Sequence, residues 1–318
     1  MTNWLPGASL ENLRKRADML ATIRRFFSEK NVLEVETPLL GHSTVTDVYI
    51  QSLQLNTKIR SKSHTLYLQT SPEYSMKRLL GAGIGPIYQI CKAFREGETS
   101  TRHNPEFTIL EWYQPGYSMT DLMDEVEQLL VELLGYETIS RYSYREVFLE
   151  KLDIDPHTIK VEDLEVVTRE RIDIYGGDMG KTDYLQLLMA HVIEPMLAEN
   201  FFVYDFPVGQ EALAKFEVDE LEMTVAKRFE LFCEGMEIAN GYYELIDADE
   251  QRGRFESDVE KRKKLNLPVY IPDEKLLAAL DAGIPQSAGV AIGIDRLLML
   301  ILGSSNIGDV ISFTTDLS

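Results

Sequence analysis

The chain has 318 residues, 44% of them hydrophobic, which is enough for a sizeable core in one large domain or two. Its 52 acidic residues outnumber 32 basic ones, for a formal net charge of -20, so a large RNA held by counterion release is a poor default partner. Apolar runs are short, as in Leu297–Leu302, and the N-terminal stretch lacks a basic start with an apolar core, so neither a membrane span nor an export signal is expected. Two cysteines far apart in apolar runs, Cys91 and Cys233, read as reduced thiols, and the expected compartment is the cytoplasm.

In chain order, apolar residues at Leu10, Leu13, Ala17, Leu20, Ile23 and Phe27 predict an amphipathic helix over 10–30, capped by Ser9. "NVLEVETPLL" reads as an extended segment stopped by Pro38, and "DVYIQSLQLN" and "HTLYLQT" read as strands. In "TSPEYSMKRLLGAG", Ser71 is the expected cap, Pro72 the first helical residue and Glu73 a first-turn acid, with Gly81 and Gly83 ending the helix. "PIYQICKAFR" and "EFTILEWYQ" predict two strands around a polar loop, and Ser118 starts a helix through Leu134. Residues 138–200 read as a helical insertion with a turn at Gly176–Gly177. "FFVYDFPV" returns to strand, and "KRFELFCEGMEIANGYYELID" reads as a hairpin turning near Glu234–Gly235. Residues 248–267 predict a charged helix ending in "KRKK", a solvated helix end rather than an RNA patch. "SAGVAIGIDRLLMLILG" reads as a Gly-rich strand entering an apolar helix. The class is α+β, a mainly antiparallel sheet flanked by helices.

Three constellations carry chemistry. In "FREGETSTRHNPEF", Arg95, Arg102 and His103 gather positive charge in an acidic chain. A guanidinium offers a planar fork of donors to phosphate or carboxylate oxygens, and Phe107 offers a flat face to a purine. Spacing alone leaves pairing of Arg95 with a local Glu equally open. In "FELFCEGMEIANGYYEL", Glu230, Glu237 and Glu244 recur every seven residues among apolar neighbours. Buried carboxylates need a cationic partner, and Mg²⁺ takes one or two of them together with nucleotide phosphates. In "GVAIGIDRLLML", Gly289 and Gly293 permit close approach to the strand and Arg296 opens the next helix. Together these describe a site for a magnesium nucleoside triphosphate.

The same segments resemble the class II aminoacyl-tRNA synthetases of the lysine type. "VLEVETPLL" is similar to their motif 1, "FREGETSTRHNPEFTILEWY" to motif 2 and "GVAIGIDRLLML" to motif 3, while "TSPEYSMKRLL" and "FELFCEGMEIANGYYEL" resemble their amino-acid and metal segments. The resemblance runs from about Leu10 to the C-terminus and is weakest over 138–200, and it implies one catalytic domain over 1–318. The catalytic core starts near Met1, so no N-terminal OB-fold anticodon-binding domain is expected. That pattern resembles the branch of the family whose members join a β-lysine to elongation factor P.

The resemblance implies ATP and Mg²⁺ as cofactors, with Arg95 and Arg296 as catalytic residues. Arg95 would hold the α-phosphate and the substrate carboxylate. His103 and Asn104 would contact ATP, Phe107 would stack on adenine, and Arg296 would cover the other ring face. Glu230 and Glu237 would hold Mg²⁺, Ile238 would line the nucleotide site by its backbone, and Gly293 would make room for it. Ser71, Pro72 and Glu73 would bind the substrate, with Glu73 receiving the amino group nearer the carboxylate. Glu244 and Tyr113 would receive the distal ammonium, supported by Asn240. Glu96, Gly97 and Glu98 fall in the ATP segment, and Gly97 stands where the family has Glu, so Glu98 is the candidate for the adenine amino group. Ala291 stands where lysyl-tRNA synthetases tend to have Gly, a methyl that narrows the pocket floor. The implied activity is adenylation of (R)-β-lysine, with α-lysine poorer, and transfer to a lysine of elongation factor P by a homodimer that needs neither tRNA nor membrane. A truncated lysyl-tRNA synthetase-like enzyme, an asparagine synthetase-like enzyme and a non-catalytic amino-acid sensor are the alternatives. Candidate basic faces for the acidic acceptor are Arg14–Arg16 and Lys261–Lys264.

Overall fold

A computed structural model describes residues 4–136, 138–174, 179–197 and 200–318. The turn expected at Gly176–Gly177 lies outside the described residues. The chain forms two compact units, Met1–Gly135 with Leu245–Ser318, and Tyr136–Glu244.

The first unit begins with α1 (Leu10–Glu29), whose N-cap Ser9 accepts the backbone N–H of Asn12 as its sequence predicts. Two short strands follow, β1 (Leu33–Glu34) and β2 (Leu40–Gly41), then β3 (Gln54–Ile59) and β4 (Lys62–Leu68). The strand expected from Asp47 forms only from Gln54. Residues 47–50 instead close a turn, in which Asp47 accepts the N–H groups of Tyr49 and Ile50. Next come α2 (Glu73–Gly81), β5 (Ile87–Phe94), β6 (Glu106–Pro115) and α3 (Met119–Leu134). Helix α2 starts one residue later than expected: Pro72 is the N-cap, and Ser71 Oγ accepts from the N–H of Glu73 at 3.1 Å. Gly81 still belongs to the helix, and the left-handed residue that turns the chain away is Gly83, at φ 81°.

The second unit holds β7 (Ser140–Ser143), α4 (Tyr144–Leu152), α5 (Val161–Arg169), α6 (Lys181–Leu188), β8 (Phe201–Pro207), β9 (Phe216–Val218), β10 (Thr224–Cys233) and β11 (Met236–Tyr243). Its strands run in the order β11-β10-β8-β7, with β9 pairing with β10 and β7 parallel to β8. The mainly helical stretch 138–200 packs Tyr144, Phe148, Tyr184, Leu185 and Leu188 against Phe201, Val203 and Phe206 of β8. The chain then completes the first unit with α7 (Ala248–Lys264), α8 (Glu274–Ala282), β12 (Ser287–Gly293) and α9 (Ile294–Leu302).

In the first unit β1-β5-β6-β12 form one sheet, antiparallel apart from β1 with β5, and β2-β4-β3 form a smaller one. The period of two divides the larger sheet into two faces. Tyr88, Trp112 and Val290 stand in one row across β5, β6 and β12. This row faces α1: Phe27 stacks on Tyr88 at 4.4 Å and meets Trp112 edge-on at 5.2 Å. Phe27 and Trp112 are fully buried, and a ring of that size contributes about 3 kcal/mol by leaving water. The indole N–H of Trp112 is satisfied by Glu125 of α3 at 2.9 Å. This packing anchors one face and leaves the residues of the opposite parity to line the other.

One arginine in each of the two basic segments turns inward, while Arg14, Lys15, Lys261, Lys263 and Lys264 stay exposed. Arg16 pairs with Asp295 at 2.6 Å and donates to Thr108 at 2.8 Å, tying α1 to α9 and β6. Arg262 is fully buried, stacks over Tyr270 at 4.2 Å and donates to the carbonyls of Pro268, Asp47 and Ile50. Neither arginine can serve a docking surface, because both are committed to holding the chain together. Both cysteines are free thiols, Cys91 half-buried and Cys233 buried, and burial pushes each up to about 12.

Candidate active site

In the first unit the site is a set of rows. Antiparallel register puts directly opposed residues on one face. Ala93 stands opposite Phe107, and three rows cross all three strands with the β6 residue in the middle: Cys91, Ile109 and Gly293; Gln89, Glu111 and Ala291; Ile87, Tyr113 and Gly289. Arg95 follows Ala93 by two residues, and its backbone N–H is held by the carbonyl of Pro105 at 2.9 Å. Its guanidinium lies over the Phe107 ring at 5.1 Å. Glu98 approaches it to 3.6 Å, beyond hydrogen-bonding distance, and Nε is buried with no hydrogen-bond acceptor among the described residues. Of the two readings open for Arg95, a local ion pair therefore accounts for only part of its donor capacity.

Gly97 sits at φ 83°, where a side chain would be strained, so the tip of this turn suits Gly. The backbone N–H of Glu96 is fixed by the carbonyl of Gln51 at 2.9 Å. Arg296 donates to His103 Nε2, and Ser100 Oγ lies 2.7 Å from Nδ1. An arginine can only donate, so in this contact Nε2 is the acceptor. Asn104 is buried, donates to the carbonyl of Glu106 at 2.6 Å and accepts from the N–H and hydroxyl of Thr315. Its amide thus pins the C-terminal segment beside the Arg95 turn. A Cβ at Gly293 would meet only the Arg296 stem, at 3.7 Å or more, so the backbone there remains open to approach.

The other end of these rows is acidic. Glu111 is 2% exposed and accepts from the hydroxyls of Ser71 and Tyr113, each at 2.7 Å. Burial, with the charge of Glu73 second, pushes its carboxyl up to about 7, against the pull of the two hydroxyls and Lys77. Glu73 pairs with the buried Lys77 one turn along α2, at 2.8 Å. The sequence reading named Ser71, Glu73 and Tyr113 and missed Glu111, Gln89 and Lys77. The alternation Phe107, Ile109, Glu111, Tyr113 was the available signal for Glu111.

In the second unit, Glu230 stands opposite Asn240, while Glu237 stands opposite Phe232. The register slips between Leu231 and Phe232. In an unbroken ladder Glu237 and Asn240, three residues apart, would face opposite ways. The bulge re-aims Glu237 to the Glu230 side. Burial pushes Glu230 up to about 7, with the adjacent charge of Arg228 opposing and that of Glu237 adding. Arg228 grips Glu230, donates to the carbonyl of Gln210 at 2.8 Å and lies over Phe206 and Tyr242. Asn240 Oδ1 is buried without a hydrogen-bond donor among the described residues. Ile238 and Glu244 are buried, Glu244 bridging to Ala214. No group of three or more His, Cys, Asp or Glu able to hold a metal alone occurs among the described residues. Two carboxylates on one face, one of them reluctant to ionise without a cation, suit Mg²⁺, which draws its remaining ligands from phosphates and water.

The family model for class II tRNA synthetases of the D, K and N type matches residues 6–317. The chain belongs to the class II tRNA synthetase family. Proteins named elongation factor P–(R)-β-lysine ligase are among its relatives. The one from Edwardsiella ictaluri is 46% identical over 322 residues, covering 99% of this chain and 98% of the relative. That from Photorhabdus laumondii is 47% identical over 318 residues, covering 98% and 97%. That from Haemophilus influenzae is 45% identical over 320 residues, covering 99% and 98%. Class II synthetases are ATP-dependent ligases, and the α+β architecture with its mainly antiparallel sheets is the one expected of this family.

Proposed function

We propose that the chain is an AMP-forming ligase that adenylates (R)-β-lysine, with α-lysine a poorer substrate, and transfers it to a lysine ε-amine of elongation factor P. The observation that carries the reading is the polarity of strand β6 and its neighbours. One end presents the Arg95 guanidinium stacked on Phe107, with donor capacity to spare; the other presents Glu111 buried under two neutral hydroxyls. Four strand residues, about 13 Å, separate Phe107 from Glu111. A substrate that is anionic at one end and cationic at the other fits that span.

In the first step a substrate carboxylate oxygen attacks the α-phosphorus of ATP, the new C–O–P bond forms and pyrophosphate leaves. Arg95 holds the attacking carboxylate and the α-phosphate, and Phe107 carries the adenine. Arg296, released from His103, covers the opposite ring face. Positioning and charge stabilisation carry this chemistry, with no covalent enzyme intermediate. Glu98 takes the adenine amino group, and the backbones of Ile238 and Gly293 border the nucleotide. Glu73 receives the amino group nearer the carboxylate, next to Ser71 and Pro72. Tyr113 and, from the geometry, Glu111 receive the distal ammonium, and the resemblance implies substrate-binding roles for Glu244 and Asn240 as well. Glu230 and Glu237 are the residues that would hold Mg²⁺, which when bound neutralises phosphate charge. In the second step the acceptor amine attacks the acyl carbon, AMP leaves, and the amine gives up one proton.

Ala291 stands in the Glu111 row, so its methyl narrows the pocket beside that carboxylate. A difference of that size discriminates by about 1–3 kcal/mol, enough to favour one placement of the amino group over another. An aspartate substrate would need a cation where Glu111 stands, and Lys77 is already paired with Glu73. Exposed Leu33, Leu39 and Leu40 in the segment similar to motif 1 support a homodimer as part of the same proposal. No helix among the described residues is long and apolar enough to cross a membrane.

Pyrophosphate exchange with (R)-β-lysine, α-lysine and aspartate tests the reading, followed by transfer to elongation factor P or tRNA scored by intact mass. Exchange strongest with (R)-β-lysine and label on elongation factor P are expected. Exchange with aspartate, charging of tRNA, or no exchange with any of the three would each replace it with the corresponding alternative.

A further inference from the structure

Gln89 is a buried polar residue to which nothing above gives a role. It is 2% exposed and stands in register opposite Glu111, with Ala291 on the far side of the same row. Its amide nitrogen bonds the thiol of Cys91, two residues along the same face, and Gln69 bonds that thiol from the other direction at 3.3 Å. In this orientation the amide nitrogen faces the thiol and Oε1 turns away from it. The outcome is an Oε1 that is buried and has no hydrogen-bond donor among the described residues. An unsatisfied buried amide oxygen is costly, and such atoms persist where a ligand completes them.

The row lacks donors. Glu111 brings a carboxylate whose two oxygens already accept one hydroxyl each, and Gln89 adds a carbonyl oxygen. The neighbouring ammonium of Lys77 is paired with Glu73. A primary ammonium has three N–H donors and no acceptor. We infer that Gln89 is a specificity-determining residue: its Oε1 accepts a hydrogen bond from the same substrate ammonium that Glu111 neutralises. This rests on the proposed diamino-acid substrate and deepens it. A carboxylate alone attracts any cation, whereas a carboxylate and a directed carbonyl in one row select a primary ammonium in a set place.

The test is pyrophosphate exchange by the full-length wild type, Gln89→Met and Gln89→Glu. Three quantities are read: KM for (R)-β-lysine, KM for ATP, and the inhibition constant of the analogue that lacks the distal amine. Losing a buried hydrogen bond to a charged group should raise the β-lysine KM of Gln89→Met between about tenfold and a hundredfold. The ATP KM and the analogue's inhibition constant should stay within about twofold, because neither ligand offers the ammonium. Gln89→Glu, which keeps an acceptor, should restore selectivity for β-lysine over the analogue. The inference is overturned if Gln89→Met leaves the β-lysine KM unchanged, or weakens β-lysine and the analogue alike. Should Gln89→Met not fold, Gln89→Glu decides: equal weakening of both ligands overturns the inference, and retained selectivity supports it. Absence of exchange by the wild type with any diamino acid would instead sink the substrate reading.

Discussion

Replacing Glu111 by Gln removes a charge and almost no volume. In the wild type the carboxyl sits near 7 because it is buried and faces Glu73. The other groups around it are the Ser71 and Tyr113 hydroxyls, Lys77 of α2 and Cys91 of β5. If Glu111 receives the substrate ammonium, truncating one partner of that buried pair should cost about 2–5 kcal/mol. The KM for the diamino acid should then rise at pH 8 by about thirtyfold to a few thousandfold, with the ATP KM little changed. The wild type must also lose a proton from Glu111 to bind a cation there. Its diamino-acid KM should therefore climb as pH falls below about 7, approaching tenfold per pH unit, and this limb should vanish in the variant.

Stability moves the other way. The folded carboxyl titrates near 7 against 4.5 for an ordinary one, so the folded state binds the extra proton between those values. The contribution of Glu111 is full below about 4.5 and is lost as pH rises through about 7, an effect of about 3 kcal/mol. Glutamine does not titrate, so the melting temperature of Glu111→Gln relative to wild type should rise between pH 4.5 and pH 8. Exchange kinetics and thermal melts across that range check both signs. A diamino-acid KM within threefold of wild type at pH 8, or an acid limb that survives in the variant, would refute the assignment.

Arg95→Lys keeps the charge and loses the planar fork; exchange should fall about a hundredfold to a thousandfold with the melting temperature held, as read by kcat and a melt. Gly241→Ala should lower the melting temperature, because the new Cβ would come within 2.3 Å of the buried Phe229 ring and overpacking of this kind costs about 1–3 kcal/mol. Arg262→Met should destabilise the first unit by about 3 kcal/mol, since it orphans carbonyls of Asp47, Ile50 and Pro268. A variant at this position that melts like wild type but transfers poorly to elongation factor P would instead restore Arg262 to a docking surface.

Much of this protein is written locally in its residues. Periodicity placed α1, β5, β6, α3, the β10–β11 hairpin, β12 and α9, because each depends on neighbours within one turn of helix or along one strand. The candidate residues Arg95, Phe107, Glu230, Glu237 and Arg296 likewise stand out one segment at a time. Tertiary structure decided what depends on register and burial. Gln89, Glu111 and Ala291 become a row only through the pairing of three strands, two of them more than 170 residues apart in sequence. Glu237 joins the Glu230 face only through a slip in the β10–β11 ladder, which alternation cannot reveal. Arg16 and Arg262 have the composition of surface charge, and only packing shows that their guanidiniums bind the fold from within. Side-chain type and spacing select which atoms can react; the long-range pairing of strands determines which of them meet.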